Sequence, residues 1–290
     1  MRVLITGAAG LLGRQAAAVC RQRRDEVYAL ARHELDITSW DDVSRAVREV
    51  RPAVVYNCAA YTDVDGAETE REKAFAVNGL GPRNLALACR AQEAVLVHVS
   101  TDYVFPGDSR RPYLVYDRTG PLNTYGESKL FGEEAVREAG GRFIIARTSW
   151  LFGPGGKNFV DTIAGLAAEK ESLKVVDDQR GSPTYTADLA RALTGLALSG
   201  RYGTYHVTNS GATTWYGLAC KIVAVLGLPA RVEPCATDEF PRPARRPGYS
   251  VMDPFPLKET LGYLPPPWED AVERHLLGRH GGRHGDGSCV

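Results

Sequence analysis

The chain has 290 residues, 44% hydrophobic and 24% charged, and its 35 basic and 35 acidic side chains cancel. That length allows one large or two modest domains with a real core. The neutral balance gives no reason to expect nucleic acid or an anionic membrane as partner, and no apolar run reaches the roughly 20 residues of a membrane span.

The opening residues carry one positive charge before a short apolar strand at 3–5, which is not a signal-peptide pattern, so a cytoplasmic location is expected. Leu12, Ala16, Val19 and Cys20 then recur at helical spacing, and 27–30 forms a second strand. Ser39 opens a helix with Asp41 and Asp42 in its first turn, where the helix dipole favours anions; Val43, Val47 and Val50 give its buried stripe. A strand at 54–56, a helix at 80–91, a strand at 95–99, a helix from about Tyr125 and a strand at 144–146 follow. Continuous β-branched strands between helices predict an α/β fold, a Rossmann-type doubly wound parallel sheet over residues 1–150.

Beyond residue 150 the pattern is broken by Gly and Pro at 153–156, 181–183 and 241–247. Helices at 159–169, 187–198 and 215–226 and a strand at 205–207 predict a smaller C-terminal α/β substrate domain over 151–277. The helices near 158–169 and 186–198 are expected to pack back onto the first domain. The tail, 278–290, is nearly devoid of apolar residues and is expected to be disordered. His275, His280 and His284 are read as solvated tail residues rather than metal ligands. Cys20, Cys58, Cys89, Cys220, Cys235 and Cys289 include no C-x-x-C pair, so neither a metal site nor a disulfide is expected.

Two segments carry chemistry. The first is Gly7-Ala8-Ala9-Gly10-Leu11-Leu12-Gly13, between a strand and a helix. Glycines permit a tight turn and close approach of backbone to a pyrophosphate, while the helix N-terminus supplies free N–H donors. The second strand then ends Leu30-Ala31-Arg32-His33, with a guanidinium where NAD-preferring sites place an acid. Arg32 is therefore expected to pair with a 2′-phosphate, which favours NADPH while NADH stays open. Asp36 and Ile37 are expected to meet the adenine.

The second segment lies where a strand delivers Ser100-Thr101-Asp102-Tyr103 to the sheet's carboxyl edge, the edge at which open α/β sheets bind ligands. Tyr125 and Lys129 stand at i and i+4 on one helical face. Reduction of a carbonyl needs a proton as well as a hydride, and a phenol is a sluggish acid–base group at neutral pH. The ammonium is expected to stabilise the phenolate and lower its pKa. Thr101 is placed to hydrogen-bond the carbonyl oxygen as charge develops there.

The ordered motifs TGAAGLLG, NCAAYTDVDGAE, AVN, VSTDYVF, PLNTYGESK, RTSWLFG, NFV and QRGSPTYTADLA resemble the extended short-chain dehydrogenases, and among them the dTDP-4-dehydrorhamnose reductases. The resemblance runs from Met1 to about His275. It implies NAD(P)H-dependent reduction of the C4 ketone of a nucleotide-linked 6-deoxyhexose, with Tyr125 as proton donor, Lys129 as its helper and Thr101 on the substrate oxygen. It also implies that Ala59, Ala60, Tyr61, Thr62, Asn78 and Ser100 line the cofactor. Val64, Asp102, Tyr103 and an aromatic platform at Trp150 would face the sugar. Asn158, Phe159, Gln179 and Arg246 would form the nucleotide end.

Departures from the family pattern stand at Pro106, in place of an acid, and at Val115, in place of a glutamate; they imply a reshaped loop over the site. Gln15 stands where some members carry a magnesium-binding glutamate, so no metal is expected and the chain is read as a monomer or weak homodimer. Two rival readings share the motifs: a nucleotide-sugar dehydratase or epimerase, and a non-catalytic NADP-binding subunit like that of methionine adenosyltransferase. Dehydratases of this kind follow the threonine with Asp-Glu, whereas Thr101 is followed by Asp102-Tyr103, without the second carboxylate.

Overall fold

The computed structural model describes residues 1–278. The strands in chain order are β1 (Arg2–Thr6), β2 (Glu26–Leu30), β3 (Val54–Asn57), β4 (Val95–Thr101), β5 (Arg142–Thr148), β6 (Leu151–Phe152), β7 (Ser172–Val176), β8 (Arg180–Gly181), β9 (Thr184–Tyr185), β10 (Gly203–His206), β11 (Thr213–Thr214) and β12 (Arg231–Cys235). The helices are α1 (Leu11–Gln22), α2 (Trp40–Val50), α3 (Arg71–Phe75), α4 (Gly81–Ala91), α5 (Thr124–Ala139), α6 (Phe159–Glu169), α7 (Thr186–Ser199), α8 (Trp215–Leu226), α9 (Leu257–Leu261) and α10 (Trp268–Gly278). None of the described helices is long and apolar enough to cross a membrane.

Six strands form one sheet in the order β10-β5-β4-β3-β1-β2, and every pairing in it is parallel. Period-two alternation sends both faces of these apolar strands into a core. Val3, Ile5, Val54, Tyr56, Val95, Val97 and Ile144 face one way and pack with α1 and α7. Leu4, Val55, Leu96 and Ile145 face the other way, against side chains from α2, α4 and α5. This doubly wound arrangement brings the carboxyl ends of β1, β3 and β4 to one edge, where the chemistry-bearing segments lie.

A third apolar cluster joins Val160, Ile163 and Ala167 of α6 to Leu218 and Ile222 of α8, Val272 and Leu276 of α10, and Leu173 and Val175 of β7. The expectation that the helices near 158–169 and 186–198 both return to the sheet is therefore corrected for the first of them. Helix α7 does pack on α1, but α6 belongs to the core of the smaller unit. Its apolar residues recur at helical spacing in either case, so periodicity alone could not choose its partner. Among the described residues His275 is no solvated side chain: it is buried, and its Nε2 meets Asp161 Oδ1 at 2.7 Å. The five described cysteines are free thiols. Past Gly278 the tail, with His280, His284 and Cys289, lies outside the described residues.

Candidate active site

The glycine loop between β1 and α1 is shaped by residues that nothing larger could replace. Gly7 takes φ +64°, and a Cβ there would lie 2.6 Å from the backbone nitrogen of Ala59. A Cβ on Gly13 would lie 2.3 Å from the carbonyl oxygen of Gly7. The loop is tied to the end of β2 by Ala8 N–H donating to Leu30 O at 3.1 Å. Gly10 precedes α1 without any side-chain cap, and no acid stands in the first turn. The first-turn N–H groups of Leu11, Leu12 and Gly13 are thus offered to an outside acceptor. A pyrophosphate fits this cradle on charge and on clearance.

Beside it, Asn78 is buried on a π turn at Ala76–Leu80 between α3 and α4. Its Oδ1 accepts from Tyr61 N–H at 2.9 Å, and its Nδ2 donates to Tyr61 O at 3.0 Å and to Ser128 Oγ at 3.0 Å. Its amide is therefore taken up in pinning the Ala59-Ala60-Tyr61-Thr62 loop to α5. Ser100 likewise points inward, donating to Glu133 Oε1 at 2.6 Å.

At the far end of the loop Arg32 and His33 are exposed. Ile37 is 4% exposed, within the core against α2 and α4. Asp36 accepts from Thr38 N–H and Oγ1–H at 2.9 and 2.8 Å; these bonds, aided by the charge of Arg32, hold its carboxyl below its ordinary value. An acid does reach the end of β2. Glu34 folds back to accept the Ala31 N–H at 2.8 Å, one residue beyond the 30–33 stretch that carries Arg32.

Helix α5 starts at a well-formed cap, Asn123 Oδ1 accepting Gly126 N–H at 2.8 Å. This sets Tyr125 and Lys129 beside the end of β4. Lys129 is 2% exposed and donates from Nζ to Val99 O at 2.6 Å. Burial pulls its ammonium down to about 8, against the charge of Glu133, which opposes the fall. Tyr125 touches Tyr103 edge-to-face at 5.8 Å between ring centroids. Thr101 Oγ1 donates to Asp102 Oδ1 at 3.0 Å and accepts from Tyr103 N–H at 3.2 Å. Burial lifts the Asp102 carboxyl to about 6.

One electrostatic expectation is overturned here. Instead of a phenol lowered by Lys129, Tyr125 has its phenol pushed up to about 12 by burial, with a hydrogen bond to Thr101 pulling the other way. The lysine is bonded to a backbone carbonyl, and desolvation outweighs the remaining attractions. At neutral pH the phenol therefore keeps its proton.

A cleft of about 1010 Å³ opens between the two units, lined on one side by Phe159, Gln179 and Trp215 and on the other by Tyr103, Asp65 and Arg246. The aromatic wall differs from expectation. Trp150 is stacked behind Trp215, with centroids 3.5 Å apart and planes within 7°, and Trp215 is the ring that lines the cleft. Trp215 also touches Phe159 at 4.6 Å and donates from Nε1 to Gln179 Oε1 at 3.2 Å. Gln179 in turn donates to Thr237 Oγ1 at 2.9 Å. Asn158 is buried and occupied structurally, capping α6 at Asp161 N–H and donating to Gly153 O and Gly156 O. Val64 is half-buried on the loop that leads to Asp65. Around the departures at Pro106 and Val115, Phe105 stacks on Tyr113 at 4.3 Å, and the Val115 carbonyl accepts from Arg147 at 3.2 Å.

The family model of the RmlD substrate binding domain matches residues 1–278. A dTDP-4-dehydrorhamnose reductase of Streptomyces griseus is 51% identical over 259 residues, covering 87% of this chain and 85% of that protein. The chain belongs to the RmlD family, that of the dTDP-4-dehydrorhamnose reductases. A dTDP-4-keto-6-deoxy-D-glucose reductase of Streptomyces niveus is 44% identical over 253 residues, covering 87% of this chain and 88% of its own length. The crystal structure of the Bacillus anthracis dTDP-4-dehydrorhamnose reductase in complex with NADP superposes with a TM-score of 0.93 at 42% identity, covering 96% of this chain and 99% of that one.

Proposed function

We propose that this RmlD-family chain catalyses NADPH-dependent reduction of the C4 ketone of a dTDP-4-keto-6-deoxyhexose, giving dTDP-L-rhamnose or a related deoxysugar. The observation that carries this reading is the meeting of Thr101, Tyr125 and Lys129 at the end of β4, beside an uncapped α1. The names of the relatives, and NADP in the crystal of one of them, support it.

The dinucleotide, when bound, supplies the reducing equivalent. Gly7, Gly10, Leu11, Leu12 and Gly13 would hold its diphosphate, Ala59 to Thr62 would flank it, and Arg32 would meet the 2′-phosphate. The chain's own task is the proton. Tyr125, protonated at neutral pH, gives its O–H proton to the C4 oxygen as negative charge develops there. Thr101 donates a second hydrogen bond to that oxygen, after turning from Asp102. The charged form of Lys129 stabilises the phenolate left behind.

The test is oxidation of NADPH in the presence of a dTDP-4-keto-6-deoxy sugar, with the product identified by NMR. Absence of turnover with NADPH binding intact would defeat the reading. A pH dependence follows from the buried ammonium. Lys129 carries its charge below about 8 and loses it above, so kcat is expected to decline as pH rises through that value. A profile flat across it would separate the activity from the Lys129 proton.

A further inference from the structure

The loop 240–248 runs from the smaller unit along the wall of the cleft, and three contacts tie it to Asp65 and Asn123 of the cofactor unit. Arg246 donates to Asp65 through both terminal guanidinium nitrogens, Nη1 to Oδ1 at 2.8 Å and Nη2 to Oδ2 at 3.0 Å. The backbone N–H of Ala244 donates to the same Asp65 Oδ1 at 3.2 Å. Asn123 donates from Nδ2 to the carbonyl of Arg245 at 2.7 Å, while its Oδ1 caps α5. Arg246 is further braced by donating to Ala244 O at 2.6 Å.

Asp65 starts the short turn Gly66–Glu68. Glu68, at the end of that turn, accepts from Thr124 N–H at 2.9 Å and from Thr124 Oγ1–H at 3.2 Å. One turn of chain therefore grips both the loop over the cleft and the first residue of the helix that bears Tyr125. Asp65, Tyr103 and Arg246 all line the cleft, so the fastening lies within reach of whatever fills it. Its carboxyl is held below the ordinary range, chiefly by the Arg246 bonds.

We propose that Asp65 is a positioning residue: its two-pronged pairing with Arg246 clamps the loop 240–248 across the cleft and presents the loop's basic edge to the diphosphate of the nucleotide-linked substrate. A bidentate guanidinium–carboxylate pair fixes orientation as well as distance, which a lone surface charge does not. The role rests on the nucleotide-sugar reading, because it is a diphosphate that the clamped loop serves. Arg242 and Arg245 share the cleft wall with Arg246, so clamping one guanidinium to Asp65 leaves two cations of the same loop facing the cavity.

The two roles Asp65 could have predict opposite signs. Were Asp65 only a like charge beside an anionic ligand, Asp65→Asn would remove repulsion and tighten dTDP binding. As a clamp, its loss loosens the loop, and the Kd for dTDP is expected to rise about tenfold. Two measurements read this: calorimetric titration with dTDP, and hydrogen–deuterium exchange over 240–249 in the same proteins. Exchange there is expected to be about tenfold faster in Asp65→Asn, and to slow again in the charge-swapped pair Asp65→Arg with Arg246→Asp. Unchanged or tighter dTDP binding in Asp65→Asn would overturn the proposal. So would unchanged exchange, or a swapped pair that exchanges as fast as the single variant. A wild-type protein that binds no dTDP would instead defeat the substrate reading, and the exchange measurements would still judge the clamp.

Discussion

Tyr125→Phe is expected to lower kcat by about 10²- to 10⁴-fold, the usual worth of a positioned proton donor, while NADPH binding changes by less than about twofold. The substitution removes one oxygen and keeps the ring, so the edge-to-face contact with Tyr103 survives. The N-cap at Asn123 and the Lys129 bond to Val99 are also untouched. What disappears is the phenol hydroxyl that is hydrogen-bonded to Thr101. With the phenol lifted to about 12, the wild-type group is almost wholly in its acid form at neutral pH, the form that reduction consumes. Steady-state rates and a binding titration on the same preparations check this. A loss of kcat smaller than about tenfold would move the proton to another group. The nearest alternative is Asp102, whose carboxyl burial raises to about 6.

The sheet and the glycine turn were legible because their signals are local. β-branched runs such as Val54-Val55 mark strands wherever they fold, and the clearances at Gly7 and Gly13 follow from a turn read directly off the spacing. The reductase reading was legible because the glycine turn, Ser100-Thr101-Asp102 and the Tyr125–Lys129 pair stand in one order along the chain. Features made by residues far apart in the chain were not. The motifs point to Trp150 alone as the aromatic wall, and only the packing of α8 shows Trp215 stacked over it and lining the cleft. The pairing of Asp65 with Arg246 bridges 181 positions, and nothing local to either side chain announces it. The state of Tyr125 was misread for a related reason. A pKa depends on how dry the site is, and desolvation is a property of the packed fold rather than of the i, i+4 pair. Asn78 and Ser100 sit in the right motifs, yet their polar groups are spent on Tyr61, Ser128 and Glu133, so they support the site from beneath.

That supporting layer carries the largest stability effect expected. Glu133, wholly buried on α5, accepts from Arg147 Nε at 2.9 Å and Nη2 at 2.8 Å, from Arg137 at 2.7 Å and from Ser100 Oγ at 2.6 Å. Arg147 is 3% exposed and belongs to β5; Ser100 belongs to β4. One carboxylate thus ties the helix that bears Tyr125 to two strands of the sheet. Burial alone would raise its pKa, but the bonds and charge of Arg147 bring it down from 4.5 to about 2. A carboxylate with a depressed folded value stabilises fully above its unfolded value, and that contribution is lost as pH falls toward about 2. Glu133→Ala leaves the Arg147 guanidinium buried without its counter-charge and is expected to cost about 3–5 kcal/mol, read as a lower midpoint in urea at unchanged slope. Replacing both partners, Glu133→Leu with Arg147→Met, is expected to recover most of that loss, because two buried charges vanish together. A single variant that loses less than about 1 kcal/mol would mean that water reaches Arg147 and that the pair behaves as a surface bridge. The double variant also separates stability from chemistry. It restores packing under α5 but removes the negative charge that opposes desolvation of Lys129. A well-folded double variant whose activity falls off at a lower pH than the wild type's is therefore the expected signature of Glu133 acting on the site through Lys129.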